Sequence, residues 1–130
     1  MSDFSIALQM SASALKAQSA RLRHVSENIS NADTPGYRRK MVSFESVRSA
    51  GSDLALVIAG RVSLDQSDLE RRFDPSHPLA NEDGYFFGSN VDLMIEIADA
   101  REAQRSYDAN LKMFEQSRQM SAGLMDLLRK

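Results

Sequence analysis

The sequence predicts an α+β protein in which long N- and C-terminal helices pair as a coiled coil and hold a small antiparallel β module between them. Apolar residues recur at heptad spacing near both ends of the chain, whereas in the middle apolar and polar residues alternate. The 130 residues suit one domain, and a content of 42% hydrophobic and 26% charged residues is sufficient for a folded core. We therefore divide the chain into a first helix (1–33), a turn with the β module and return loop (34–89), and a second helix (90–130).

The first helix is expected from about Phe4 to Ala32. A leucine or isoleucine recurs every seven residues and marks one seam position: Leu8, Leu15, Leu22 and Ile29. Ser11 and Gln18 interrupt the alternate seam position, and much of the remaining surface is alanine or serine. This pattern indicates a helix that packs closely against another helix.

The second helix is expected from about Asn90 to Arg129, and its seam positions include Leu93, Ile97, Tyr107, Leu111, Phe114 and Met125. At about 1.5 Å per residue such a helix is about 60 Å long, which is too long to be covered by one small domain. Further apolar side chains fall outside the seams, at Ile6, Met10, Met113, Met120, Leu124 and Leu127. Because exposed apolar patches mark interaction surfaces, the sequence predicts a self-associating protein whose seam residues make helix and subunit contacts.

The middle of the chain predicts short strands. One strand is expected around Met41 to Val47. Alternation in residues 54–58 and again in 62–64, separated by Ala59 and Gly60, predicts two strands joined by a tight turn. Two prolines and two glycines in residues 73–88 predict a loop that folds back toward the second helix.

A stiff turn is expected directly after the first helix. Thr34-Pro35-Gly36-Tyr37 suits a type II turn, because proline fixes φ at the first central position and glycine supplies a positive φ at the second. Asn31 and Asp33 are residue types that close a helix through their side chains. The turn is therefore expected to set the angle at which the β module leaves the helix.

Three cations follow the turn, at Arg38, Arg39 and Lys40. One aromatic residue beside three charges, in a chain of net charge −2, is a weak nucleic-acid signature. We expect these side chains to be solvated or to face protein. As an exposed charge, Arg39 is expected to contribute at most about 1 kcal/mol to stability, so Arg39→Gln should be far milder than Gly36→Val.

No catalytic, cofactor or metal site is predicted. His24 and His77 have no second ligand at metal-binding spacing and are expected to be solvated, and the chain has no cysteine. The central acids, among them Asp65 and Asp68, could supply a general acid/base pair. A small hydrolase therefore remains an alternative if Asp65 and Asp68 converge in a pocket.

Targeting signals are not evident. No segment approaches the roughly 18 apolar residues that span a bilayer, and the N-terminus lacks the basic region of a cleavable secretory signal. On these grounds alone the expected location is the cytoplasm, and a cytoplasmic helical adaptor or chaperone is the alternative to a self-assembling subunit.

The segment NISNADTPGY resembles the Asn-x-Ala-Asn-x-x-Thr-Pro-Gly-Tyr signature of bacterial flagellar rod and hook proteins. The matching residues are Asn28, Asn31, Thr34, Pro35, Gly36 and Tyr37, and Ser30 stands where alanine is usual. The C-terminal segment is similar to the closing helix of that family, with Glu102, Arg105, Tyr107, Ala109 and Asn110 in the family's places. The segments YRRKMVSFESV and FDPSHPLANEDGY are most similar to those of proximal-rod subunits.

The resemblance implies a structural subunit of the flagellar basal-body proximal rod. Such subunits polymerise into a hollow driveshaft that transmits torque and surrounds the export channel. The implied partners are other rod subunits, further copies of the chain, basal-body ring or adaptor proteins and the flagellar type III export machinery, with no nucleic acid and no membrane insertion. The implied location is the periplasmic rod, reached without a cleaved signal peptide, which replaces the cytoplasmic expectation.

Overall fold

The computed structural model describes residues 3–48, 50–52 and 54–129, so residues 1, 2, 49, 53 and 130 of the predicted segments lie outside it. The elements follow in the order α1 (Asp3–Ser30), β1 (Lys40–Arg48), β2 (Ala55–Leu64), β3 (Arg71–Phe73), β4 (Tyr85–Phe87) and α2 (Leu93–Arg129). Two long helices therefore flank short antiparallel strands, and the predicted α+β class is confirmed.

The two helices pack against each other along faces made of small and polar residues. Ala17 on α1 and Ala103 on α2 are almost completely buried. Arg21 lies 3.5 Å from Asp99, which places the middle of α1 beside the start of α2. With 37 residues, α2 is nine longer than α1, which has 28. Small buried side chains let the helix backbones approach closely, and the predicted pairing of the helices is confirmed.

Strands β1 and β2 form an antiparallel pair that packs on α1. The expectation of two strands separated by a turn at Ala59 and Gly60 is wrong, because β2 continues through both residues. The register changes opposite Ser43: Val42 pairs with Val62, but Phe44 pairs with Ala59. Between these two pairs β2 has one more residue than β1, and the extra residue forms a bulge. The side chain of Glu45 lies close to Gly60 there.

The return loop also contains strands that the sequence did not predict. β3 and β4 pair in antiparallel fashion from Arg71 opposite Phe87 to Phe73 opposite Tyr85. Asn81 shapes the connection, since its side-chain oxygen accepts hydrogen bonds from the backbone N–H groups of Asp83 and Tyr85. The segment is therefore a short hairpin with a long loop, and the expectation of a loop alone is wrong.

The apolar core is small for a chain of this length. Its most buried hydrophobic residues are Ala17, Val25, Ala32, Leu54 and Ala103. Many large hydrophobic side chains remain exposed, especially in the second half of α2. Neither described helix combines the length and the apolar character needed to cross a membrane. Much of the apolar surface of a single chain is therefore available for contacts with other proteins.

Candidate functional site

The turn after α1 has the geometry of a helix end followed by a sharp change of direction. Gly36 has a φ of 76°, the left-handed value needed at the third position of a type II turn. The N–H of Tyr37 donates to the carbonyl of Thr34 at 3.1 Å. Gly36 also donates to the carbonyls of Phe87 and Gly88, at 3.3 and 3.0 Å. The turn is thus held against the end of β4.

Side chains on both sides of the turn fix its position. Asn31 Nδ2 donates to the carbonyl of Glu27 at 2.9 Å, and Thr34 Oγ1 donates to Asn31 Oδ1 at 3.0 Å. Asn31 therefore closes α1. Asp33 does not share this role, because its carboxylate lies 3.2 Å from the guanidinium of Arg72 in β3.

Asn28 is the residue that connects α1 to β1. Its side chain is almost completely buried and uses every donor and acceptor it has. Nδ2 donates to the carbonyl of Lys40 at 2.9 Å and to Glu96 Oε2 at 3.2 Å. Oδ1 accepts from the N–H of Lys40 and from the hydroxyl of Tyr37, both at 2.8 Å. The amide group of Asn28 thus binds Lys40 as a neighbouring strand would.

Arg39 and Glu96 form the charged centre of the same cluster. Arg39 Nε donates to Glu96 Oε1 at 2.6 Å, and the Glu96 side chain has no exposed surface. The guanidinium also lies 3.4 Å from Asp65 and 3.6 Å from Asp99. Burial lowers the pKa of Arg39, but the hydrogen bonds and charges of Glu96 and Asp65 together outweigh it, and the net direction is upward. The expectation that Arg39 is an exposed charge is therefore wrong.

The other cations after the turn also face protein. Arg38 donates to the carbonyls of Asp65 and Ser67, at 3.2 and 3.0 Å. Asn90 holds the same segment, because Nδ2 donates to the Asp65 carbonyl at 2.9 Å and Oδ1 accepts from the N–H of Arg39 at 2.7 Å. We call the cluster of Asn28, Tyr37, Arg39, Asn90 and Glu96 the polar junction.

The charges around the polar junction shift the pKa values of its neighbours. The hydrogen bond from Lys40 Nζ to Glu27, 2.6 Å long, lowers the pKa of Glu27. Hydrogen bonds from Ser67 lower the pKa of Asp65. Burial raises the pKa of Tyr37. The surroundings of the polar junction therefore favour the ionised forms of Glu27 and Asp65 and the neutral phenol of Tyr37 at neutral pH.

Comparison with known proteins gives matches at both ends of the chain. Residues 8–38 match the family model described as flagella basal body rod protein, and residues 82–127 match that of the flagellar basal body rod FlgEFG protein C-terminal region. The flagellar basal-body rod protein FlgC of Agrobacterium fabrum is 43% identical over 99% of this chain and 98% of its own length. The chain belongs to the FlgC family. FlgC of Bacillus subtilis is 36% identical over 80% of this chain and 84% of its own length. FlgC of Salmonella typhimurium is 35% identical over 78% of this chain and 80% of its own length.

The two matched regions meet at the polar junction of this FlgC-family chain. The first region contains α1 from residue 8 onward and the turn, including Asn28 and Tyr37, and the second contains Asn90 and Glu96. Arg39 lies one residue beyond the first region. Sequence reasoning found Asn28 and Tyr37 through the signature but missed Asn90 and Glu96. Glu96 did not stand out, because an acid in the first turn of a helix is favourable there without any partner.

The seam residues of this FlgC-family chain fall into two groups in the single chain. Leu8, Leu15, Leu22, Tyr107, Leu111 and Phe114 are half-buried. Ile29, Leu93, Ile97 and Met125 are exposed by 37 to 54%. The apolar residues outside the seams include Met113, Met120 and Leu127, each more than half exposed. The structure therefore leaves apolar side chains of both helices exposed in the single chain.

The histidines and central acids occupy separate places. His77 stacks on the ring of Phe86 at 3.9 Å, and His24 is half-buried with only 13% of its side chain exposed, so the expectation of two solvated histidines is wrong. Asp65 pairs with Arg39, whereas Asp68 lines a different, open groove. No three potential metal-ligating side chains come together within residues 3–48, 50–52 and 54–129.

Proposed function

We propose that this chain is a structural subunit of the proximal rod of the flagellar basal body, where it assembles with other rod subunits and with further copies of itself. Similarity to FlgC proteins over almost the whole chain carries this conclusion. The geometry supports it, because the exposed apolar side chains of α1 and α2 give one subunit several faces to bury against others.

The polar junction gives the proposed subunit a fixed shape. It joins the end of α1, the base of β1 and the first turn of α2, so the β module cannot rotate on the helix pair without breaking several buried or part-buried hydrogen bonds. In the rod, each subunit would present its helices and its β module at the same angle. The segments 1–33, 34–89 and 90–130 act in this proposal as inner helix, outer module and inner helix, and the helix pair surrounds the export channel.

The location follows from the FlgC family, whose members are flagellar basal-body rod proteins. We place this chain on the periplasmic side, exported by the flagellar type III machinery without a cleaved signal. Ring or adaptor proteins at the base of the rod are further proposed partners, and no contact with nucleic acid or lipid is part of the proposal.

The role is structural and not catalytic. Torque would pass through many repeated contacts between helices, and no single side chain would carry out chemistry. The separation of Asp65, which pairs with Arg39, from Asp68, which faces another groove, argues against the hydrolase alternative. The comparisons give no support to a cytoplasmic adaptor or chaperone.

Deletion of the gene tests the proposal. We expect the deletion to remove the hook, the filament and motility, and a plasmid copy to restore all three. The chain should be found in purified basal bodies. Recovery only from the soluble cytoplasmic fraction would favour the adaptor instead.

A further inference from the structure

An open groove of about 530 Å³ lies beside the β3–β4 hairpin, at the end where Arg71 pairs with Phe87. We call it the arginine groove, and the side chains that line it are Arg38, Asp68, Leu69, Arg71 and Phe87. Phe87 is 57% exposed. The arginine groove therefore offers an aromatic surface next to two guanidinium groups.

The two arginines of the arginine groove have no carboxylate partner among the described residues. Arg38 is half-buried and donates through Nη1 to two backbone carbonyls, at 3.2 and 3.0 Å. Arg71 lies over the ring of Tyr85, 4.4 Å from the ring centre. Asp68 lines the same groove but forms no ion pair with either arginine. Two unpaired guanidinium groups therefore face one carboxylate, and both keep donors for a further carboxylate.

The loop between β3 and β4 carries the opposite charge. Glu82 and Asp83 are the only adjacent acids in the sequence. Both are exposed, and neither pairs with a cation within residues 3–48, 50–52 and 54–129. Leu79 lies just before them and is 64% exposed. We call residues 79–83 the acidic loop, which combines two free carboxylates with an apolar side chain.

Hydrogen bonds hold the acidic loop in one conformation. The N–H of Leu79 donates to Nδ1 of His77 at 3.1 Å, and the N–H of Ala80 donates to the carbonyl of His77 at 3.0 Å. At its other end, the N–H of Gly84 donates to the carbonyl of Asn81 at 3.0 Å. A loop that is ordered before it binds loses little conformational entropy on binding.

The arginine groove and the acidic loop lie at opposite ends of the same hairpin. The groove contains the pair of Arg71 and Phe87, and the loop leaves from the other end of the two strands. In this conformation the acidic loop can meet an arginine groove only on another copy. A contact between two different surfaces of identical chains is heterologous, and its repetition builds rings or helical arrays.

A second cationic groove, on α2, matches the acidic loop less well. Its lining consists of Arg101, Gln104, Arg105, Asp108, Ala109 and Lys112. These residues include no large apolar side chain, so Leu79 would have no apolar surface to cover there. The combination of free guanidinium groups with an exposed aromatic ring therefore favours the arginine groove.

We propose that the arginine groove of one subunit binds the acidic loop of a neighbouring copy in the rod. The two carboxylates of the loop would pair with the two guanidinium groups of the groove, and Leu79 would pack on Phe87. Hydrogen bonds between guanidinium and carboxylate groups are among the strongest in proteins and fix the geometry of the contact. The inference rests on the proposed rod function, because it requires copies of this chain side by side.

Disulfide cross-linking tests the contact directly, because the sequence has no cysteine. Two copies with different epitope tags are expressed together in the deletion strain, one with Asp68→Cys in the groove and one with Glu82→Cys in the loop. Both side chains are exposed and form no hydrogen bond or ion pair among the described residues, so the fold should be unchanged. Mild oxidation of purified basal bodies should give a dimer with both tags, since a disulfide requires Cβ atoms about 4 Å apart.

Glu115→Cys, exposed on α2, replaces Glu82→Cys in the control and should give no dimer. Absence of the dimer between positions 68 and 82, or an equal yield with Glu115→Cys, would overturn the proposal.

Charge exchange provides a second test, in cells. Arg71→Glu and Asp83→Arg each place like charges across the contact, so each alone should reduce swimming. A chain with both substitutions restores opposite charges between neighbouring copies and should swim better than either single variant. Arg101→Glu, in the groove on α2, is the control and should gain nothing from Asp83→Arg. A double variant that swims no better than the worse of the two single variants would overturn the proposal.

The cell-based results separate the two proposals. If Arg71→Glu and Asp83→Arg each restore full swimming to the deletion strain, the contact between loop and groove is wrong while the rod function stands. If the deletion strain swims without any copy of the gene, the rod function itself is wrong.

Discussion

The carboxylate of Glu96 accepts a 2.6 Å hydrogen bond from Nε of Arg39, a residue 57 positions earlier in the chain. Glu96 has no exposed surface, and Arg39 retains 21% of its side-chain exposure. The pair connects the segment that enters β1 with the first turn of α2. The orientation of the β module on the helices therefore depends on a buried charge and its partner.

Arg39→Gln should be strongly destabilising. The substitution leaves Glu96 buried without its cation, and loss of one partner of a buried pair typically costs about 3–5 kcal/mol. We expect the free energy of unfolding to fall by about 3 kcal/mol, near the lower end of that range, because Arg39 is partly exposed. Urea unfolding followed by circular dichroism measures it.

A double substitution provides the control. Arg39→Gln together with Glu96→Gln removes both charges, so the double variant should be more stable than Arg39→Gln alone. Arg105→Gln changes an exposed arginine of α2 and should have little effect. Equal stabilities of the parent and Arg39→Gln would show that the pair does not hold the junction.

Gly36→Val should disturb the turn through its backbone. Gly36 has a φ of 76°, and open space surrounds the position of an added Cβ, so the penalty is conformational and not a clash. A β-branched residue there costs about 1–3 kcal/mol, and the β module should leave α1 at another angle. We expect Gly36→Val cells to lose motility and Gly36→Asn cells to keep more of it, because asparagine tolerates the left-handed region. The reverse order in a soft-agar swimming assay would contradict this reading.

The helices and β1 could be predicted because heptad repeats and alternation are local patterns. The continuity of β2 could not be predicted from its own residues. The bulge opposite Ser43 depends on the register in which β2 pairs with β1. The polar junction was predicted only in part. Asn28 and Tyr37 stand in a recognisable signature, but nothing next to Glu96 in the sequence distinguishes a buried acid from an ordinary first-turn acid.

Acid should destabilise the fold through its paired carboxylates. The pKa values of Glu27 and Asp65 are lowered in the folded chain, by Lys40 and by Ser67 respectively. Their stabilising contribution is therefore present above the unfolded pKa and is lost as pH falls through the folded pKa. We expect the melting temperature to drop below about pH 4. The melting temperature of Glu27→Gln should fall less than that of the parent over the same pH range. Glu115 is exposed on α2, and the melting temperature of Glu115→Gln should follow that of the parent. If the melting temperatures of Glu27→Gln and the parent changed identically with pH, Glu27 would not contribute to the loss of stability in acid.

Leu15→Asp or Leu111→Asp should abolish motility while expression continues. Both leucines are half-buried in the single chain, and a carboxylate without a partner at such a position costs several kcal/mol, repeated in every subunit. Immunoblots and swimming assays measure the two effects. Gln116→Asp is the control, because Gln116 is exposed on α2, the helix that contains Leu111. Normal swimming by either leucine variant would remove that position from the helix contacts.

Electron cryomicroscopy of purified basal bodies tests the proposed role most directly. We expect the chain to occupy the proximal rod, with α1 and α2 in the inner layer, the β module outside, and Arg39 bonded to Glu96 in every copy. Rods complete without this chain, or subunits whose β module packs on the helices without the Arg39–Glu96 contact, would contradict it.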